Sequence, residues 1–114
     1  QKQERAIKSV YFSMPEPNGS FQFANSALTN DGKKYYRIDF EENSNKGNLH
    51  FLSSERDQRA INRLDSYLTP ACKILNIIDS PNASRVQMKE IGAVKRTEDG
   101  WQIDPDKKVV IKLI

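Results

Sequence analysis

The sequence predicts an α+β domain, in which an antiparallel sheet of about five to seven strands carries one or two helices, over 54–68 and 70–78, on one face. Two observations predict it. Residues 35–40 alternate strictly, Tyr36, Ile38 and Phe40 against Tyr35, Arg37 and Asp39, which is the period of a strand with one buried side. Residues 60–68 instead repeat at three and four, through Ala60, Ile61, Leu64, Tyr67 and Leu68, which is a helix lying on something apolar.

The first strand is read over 7–14, where Val10, Phe12 and Met14 alternate with Ser9, Tyr11 and Ser13. Pro15, Pro17, Asn18 and Gly19 break it, and Phe21 and Phe23 then open a short second segment expected to return as its hairpin partner. Asn30, Asp31 and Gly32 turn the chain into the central strand over 35–40, and a polar loop over 43–48 leads to a fourth strand with Leu49 and Phe51. Ser53 and Ser54 offer an N-cap for the helix, with Glu55 and Asp57 in its first turn. Pro70 ends or kinks that helix. It also suits the first position of a second helix carrying Ala71, Ile74, Leu75 and Ile78, for which a buried strand over 74–78 is the competing reading.

Beyond Ser80, Pro81 and Asn82 the alternation of Val86 and Met88 passes to Ile91 and Ala93, a slip of one residue that a β-bulge near Glu90 and Gly92 explains. Glu98, Asp99 and Gly100 make a hairpin turn into Trp101 and Ile103. Asp104, Pro105 and Asp106 turn again. The final strand sets Val109, Ile111 and Leu113 on one side and Val110 and Ile114 on the other, so it is expected in the middle of a sheet.

With 114 residues, the chain is read as a single domain whose residues 1–6 form a frayed or tethering segment. No run approaches the ~20 apolar residues of a membrane-spanning helix. A net charge of +3 on a chain that is 29% charged is solubility rather than a polybasic signature. One cysteine, Cys72, excludes an internal disulfide. The compartment stays open. Gln1 in place of Met reads as a chain cut from something longer, and export to a periplasm or the extracellular space is placed ahead of the cytoplasm.

Catalytic signatures are missing from the pattern. His50 is the one imidazole, and Cys72 keeps the company of Ala71, Ile74 and Leu75, as a small core residue does. One His and one Cys do not supply a zinc set. Asp104 and Asp106 lack the remaining positions of a calcium loop, and the glycines never cluster into a phosphate cradle, so no cofactor is expected. Asn18-Gly19-Ser20 and Asn82-Ala83-Ser84 fit the glycosylation pattern, which is too common to carry weight.

One basic and aromatic constellation stands out. Lys33, Tyr35 and Arg37 share the outward parity of the third strand, and Lys46 and His50 lie on the adjoining loop and strand, giving cations and a ring for a single-stranded nucleic acid. Asp39 and Glu41 continue that face with the opposite sign, which favours a solvated strand face. Arg56, Arg59 and Arg63 form a second stripe, interleaved with Glu55, Asp57 and Asp65 and expected to pair with them. The function expected is a non-enzymatic binding module that recognises a macromolecular partner, a protein ahead of a nucleic acid, through its sheet face or an edge. A nucleic-acid-binding protein is the first alternative, and a small-ligand or enzyme-like domain the second.

Overall fold

The computed structural model describes residues 7–76 and 82–114, so the expected tether over 1–6 and residues 77–81, which include Ile77, Ile78, Ser80 and Pro81 of the sequence reading, lie outside the described residues. The described elements are β1 (Ile7–Phe12), β2 (Ser20–Gln22), β3 (Tyr36–Glu41), β4 (Lys46–Phe51), α1 (Asp57–Asn62), α2 (Leu64–Tyr67), β5 (Cys72–Ile74), β6 (Val86–Glu90), β7 (Gly92–Arg96), β8 (Gly100–Ile103) and β9 (Val109–Leu113), with a 3₁₀ turn at Phe23–Asn25. The class is the expected α+β with a mainly antiparallel sheet. The strands are more numerous than expected and fall into two sheets, a six-stranded one in the order β1-β3-β4-β7-β8-β2 and a three-stranded one in the order β5-β9-β6.

The six-stranded sheet is curled, because β1 and β2 are neighbours in sequence yet occupy its two edges. Laid flat, those edges would stand roughly 24 Å apart at the usual strand spacing. Instead the Phe12 and Phe21 rings meet with centroids 5.0 Å apart. The chain returning from β2 then bonds the free side of β1, Tyr11 and Ala27 exchanging two backbone hydrogen bonds of 2.9 Å. The expected β1–β2 hairpin is thus corrected. β2 pairs antiparallel with β8, and the Pro-rich connection carries the chain across the seam of the curl rather than around a tight turn.

Inside the curl the predicted parity holds. Tyr36 and Ile38 are fully buried, and Leu49, Phe51, Val94, Trp101 and Ile103 face them from the neighbouring strands. Burial of each such side chain is worth about 1.5–3 kcal/mol, so this alternation specifies the register as well as the class. At one end Arg96 lies over Phe40 and Trp101, with its guanidinium 5.1 and 4.9 Å from the two ring centres. Met14, expected in the first strand, lies beyond its end and is exposed.

The helices close the other end. The expected cap at Ser53 or Ser54 is corrected: the N-cap position of α1 is Arg56, with no side-chain cap bond, and Ser54 lies in the turn before it, where its hydroxyl accepts from the Arg56 N–H at 3.1 Å and its own N–H donates to the Asp57 carboxylate at 2.9 Å. Asp57 is completely buried and also accepts from the Ser53 hydroxyl at 2.6 Å, the Arg85 Nε at 3.2 Å and the Val86 N–H at 2.8 Å, which fastens α1 to β6. The helix expected over 54–68 is shorter and broken. Residues 54–56 are spent in the turn that precedes it, and Arg63 leaves helical geometry at φ −131° and ψ 47° between α1 and α2.

The second helix expected over 70–78 is corrected within the described residues, where Cys72–Ile74 is strand β5, parallel to β9. β9 offers an unpaired side there, and Val109 donates to the Ala71 carbonyl while Leu75 donates to that of Ile111, so this stretch finds its partners far along the chain. Beyond β5 the Asn76 amide takes the place of a strand residue, accepting from the Leu113 N–H and donating to the Leu113 carbonyl at 2.8 Å each.

β9 is the middle strand of the second sheet and packs against β4 and β7. β6 and β7 are almost continuous, and the pairing of β6 with β9 shifts register between Met88 and Glu90, where the sequence predicts a bulge. That bulge lets one run of chain leave the second sheet and enter the first.

Candidate binding face

The outward side of the curled sheet follows from the register. Ser9, Asp39 and Asn48 form one row, while Tyr11, Arg37 and His50 form the next. Asp39 is the hub of this face. Its carboxylate accepts from the Ser9 hydroxyl at 2.6 Å and lies 3.3 Å from His50 Nε2. Arg37 Nε stands 3.0 Å from it, an ion pair not aligned as a hydrogen bond. Burial holds the His50 pKa below its ordinary value, the Arg37 charge adds to that, and Asp39 opposes both.

The chemistry this cluster can perform is limited by its order. In a nucleophile–base relay the imidazole stands between hydroxyl and carboxylate. Here the carboxylate stands between hydroxyl and imidazole, so Asp39 orients both side chains and His50 does not touch Ser9. Cys72 belongs to the interior, where its sulfur lies 3.2 Å from the Tyr36 hydroxyl and burial pushes its pKa up to about 12. Among the described residues no three His, Cys, Asp or Glu side chains gather as a metal set, and no helix is long and apolar enough to cross a membrane.

The residues singled out from sequence are scattered rather than assembled. Tyr35 is corrected: it is only 2% exposed, immediately precedes β3, and gives its hydroxyl to the Arg56 carbonyl at 3.0 Å. Its ring packs on Tyr67 and lies under the Arg56 guanidinium, so it is not free to stack on a base. Lys33 is exposed on the loop before β3, its N–H bonded to the Asp31 carboxylate. Arg37 and His50 are consumed by Asp39. Arg59 and Arg63 are exposed on the helical side. The pairing expected within the arginine stripe is also corrected, because Asp57 turns inward to Arg85 and none of Arg56, Arg59 and Arg63 has an ion pair among the described residues.

Lys46 is exposed at the start of β4, and what faces it was not legible. The register places Lys95 of β7 directly opposite, also exposed. Beside this pair runs a groove of about 790 Å³ across β3, β4 and β7, and a second of about 1100 Å³ continues toward β5 and β9. The two share Asn48, Ala93 and Lys107, so they form one channel. Lys73 and Lys108 line its far part. Among the described residues the only aromatic one lining either groove is Phe40, whose ring is engaged with Trp101 and Arg96. Comparison with known protein families, curated proteins and solved structures finds no match to this chain.

Proposed function

We propose that this domain is a binding module without catalytic chemistry, and that it takes a polypeptide partner along the channel on the outward side of its curled sheet. The observation that carries the reading is the confluence of the two grooves over Asn48 and Ala93. Both side chains are short, so an incoming chain can approach the sheet closely along its length. The nearby groups with reactive potential, His50 and Ser9, are both already engaged by Asp39.

A nucleic acid fits the channel less well. Sequence-tolerant binding of single strands draws about 1–3 kcal/mol per base from stacking on aromatic rings. Among the described residues the channel offers no free ring, since Phe40 is engaged and Tyr35 is buried.

The test is capture from an extract of the source organism followed by reconstitution with the purified polypeptide. Asn48→Trp should block the channel and abolish a binding that the unaltered domain shows in calorimetry. Recovery of no polypeptide that survives purification overturns the reading, as does a recovered polypeptide indifferent to Asn48→Trp. Tight binding of single-stranded oligonucleotides that collapses with added salt would replace it with the nucleic-acid reading.

A further inference from the structure

We infer that the segment bound in this channel is acidic and extended, and that Lys46 and Lys95 together receive its carboxylates. The inference rests on the binding-module reading and adds the chemistry of the partner. Lys46 and Lys95 are direct antiparallel partners on an exposed face. Like charges in that position repel and destabilise a sheet, and opposite charges are the favoured pair. Neither lysine has a carboxylate partner among the described residues, so none of those residues relieves the repulsion. An anionic group placed above the pair relieves it.

The rest of the channel has the same sign. Lys46, Lys73, Lys95, Lys107 and Lys108 line it, and none of them forms an ion pair among the described residues. Of the carboxylates there, Asp39 is engaged by Arg37 and His50, and Glu41 is not free. Asp104 is folded into its turn, where it accepts the Asp106 N–H at 2.9 Å. Glu90 and Asp106 remain on the rim, and the lysines outnumber them. The occupant is extended because the two grooves are continuous across several strands. It carries apolar residues among its acids, because Ile7 lines one groove at 61% exposure and Ile91 the other at 45%. Polypeptide rather than polynucleotide supplies that mixture of carboxylate and aliphatic groups.

The experiment is fluorescence anisotropy on the whole chain, with a labelled peptide of mixed Glu, Asp and Leu and a counterpart in which Gln and Asn replace the acids. The acidic peptide should bind, and its affinity should fall as salt shortens the screening length. Lys46→Glu with Lys95→Glu should weaken it by about tenfold or more. The matched double variant Lys89→Glu with Lys112→Glu, whose residues line neither groove, should change it by less than about twofold. Equal binding of the uncharged peptide, or equal binding to both double variants, overturns the inference. So does a single-stranded oligonucleotide that binds more tightly and is lost in the Lys46/Lys95 variant. If the acidic peptide fails while a captured polypeptide still depends on Asn48, the acidic partner is excluded and the binding-module reading stands.

Discussion

The Tyr36 hydroxyl lies 3.2 Å from the Cys72 sulfur and donates to the Tyr67 carbonyl, so one phenol ties β3 of the curled sheet to both α2 and β5. Tyr36 has no exposed surface and Cys72 is buried, while Tyr67 is partly buried. Tyr36→Phe keeps the ring and removes the hydroxyl, which leaves the Tyr67 carbonyl and the thiol without their partner. The expected loss is about 1–3 kcal/mol, read from the urea midpoint at neutral pH. An unchanged midpoint would show that the junction does not depend on this bond.

The same junction sets an alkaline limit. Burial raises the Cys72 pKa from 9.0 to about 12, so between those values the unfolded thiol loses its proton while the folded one retains it. A pKa raised by folding gives stability that is whole below pH 9 and is lost as pH rises toward 12. Unfolding free energy should fall across that window more steeply for the unaltered chain than for Cys72→Ala. Iodoacetamide at neutral pH should label Cys72 only after unfolding.

Asp57 is the polar keystone of the helical end, with four donors converging on a fully buried carboxylate. Asp57→Ala strands the Ser54 and Val86 N–H groups, and Asp57→Asn retains an acceptor without the charge. Arg85 is half exposed and keeps its water, so the alanine variant should lose about 1–3 kcal/mol for each amide left without an acceptor, and the asparagine variant less. Thermal unfolding followed by circular dichroism checks the order.

Legibility in this chain follows the range of the interaction. Tyr36, Ile38 and Phe40 could be read because a strand with one buried side writes its period locally, and the bulge near Glu90 could be read because it breaks that period. The link between Ser54 and Asp57 could be read in part because it is local, but the helix begins later than the sequence suggests, with Arg56 at its N-cap position. β5 could be read only as the alternative to a helix, and over 74–78 rather than Cys72–Ile74, because the partner that makes it a strand is β9 and no periodicity in Cys72–Ile74 announces it. Tyr35 fell on the outward parity of β3 but stands just before the strand begins, where the Arg56 carbonyl draws it inward. Lys46 was visible as a cation. The surface it belongs to was not, because Lys95 and Lys107 arrive only through the pairing of β4 with β7 and the loop beyond β8.

His50 gives an acid-side prediction of opposite sign to that of Cys72. Its folded pKa lies below 6.5, chiefly through burial and then through Arg37. As pH falls through 6.5 the unfolded chain takes up this proton before the folded one, so stability declines with acidification. Chemical denaturation at about pH 7.5 and about pH 5.5 should show a smaller decline in His50→Gln than in the unaltered chain. A steeper decline in the variant would mean that Asp39 outweighs burial at this site.

The repulsion between Lys46 and Lys95 can be measured in the absence of any partner. Lys95→Glu converts the like pair to an opposite one on the same exposed rung, and such pairs are worth about 0.2–1 kcal/mol. The variant should therefore melt a few degrees higher at low salt, since about 1 kcal/mol corresponds to roughly 4–8 °C in a domain of this order of size. Adding Lys46→Glu restores a like-charged pair, so the double variant should fall back toward the unaltered chain, and the cycle isolates the coupling. High salt should compress all these differences, because both side chains are in water. If Lys95→Glu gains nothing at low salt, the two ammonium groups already avoid each other, and the pair ceases to be a reason to expect an anionic partner. If it gains stability and loses the acidic peptide together, the free domain is holding two charges in opposition for the sake of what binds there.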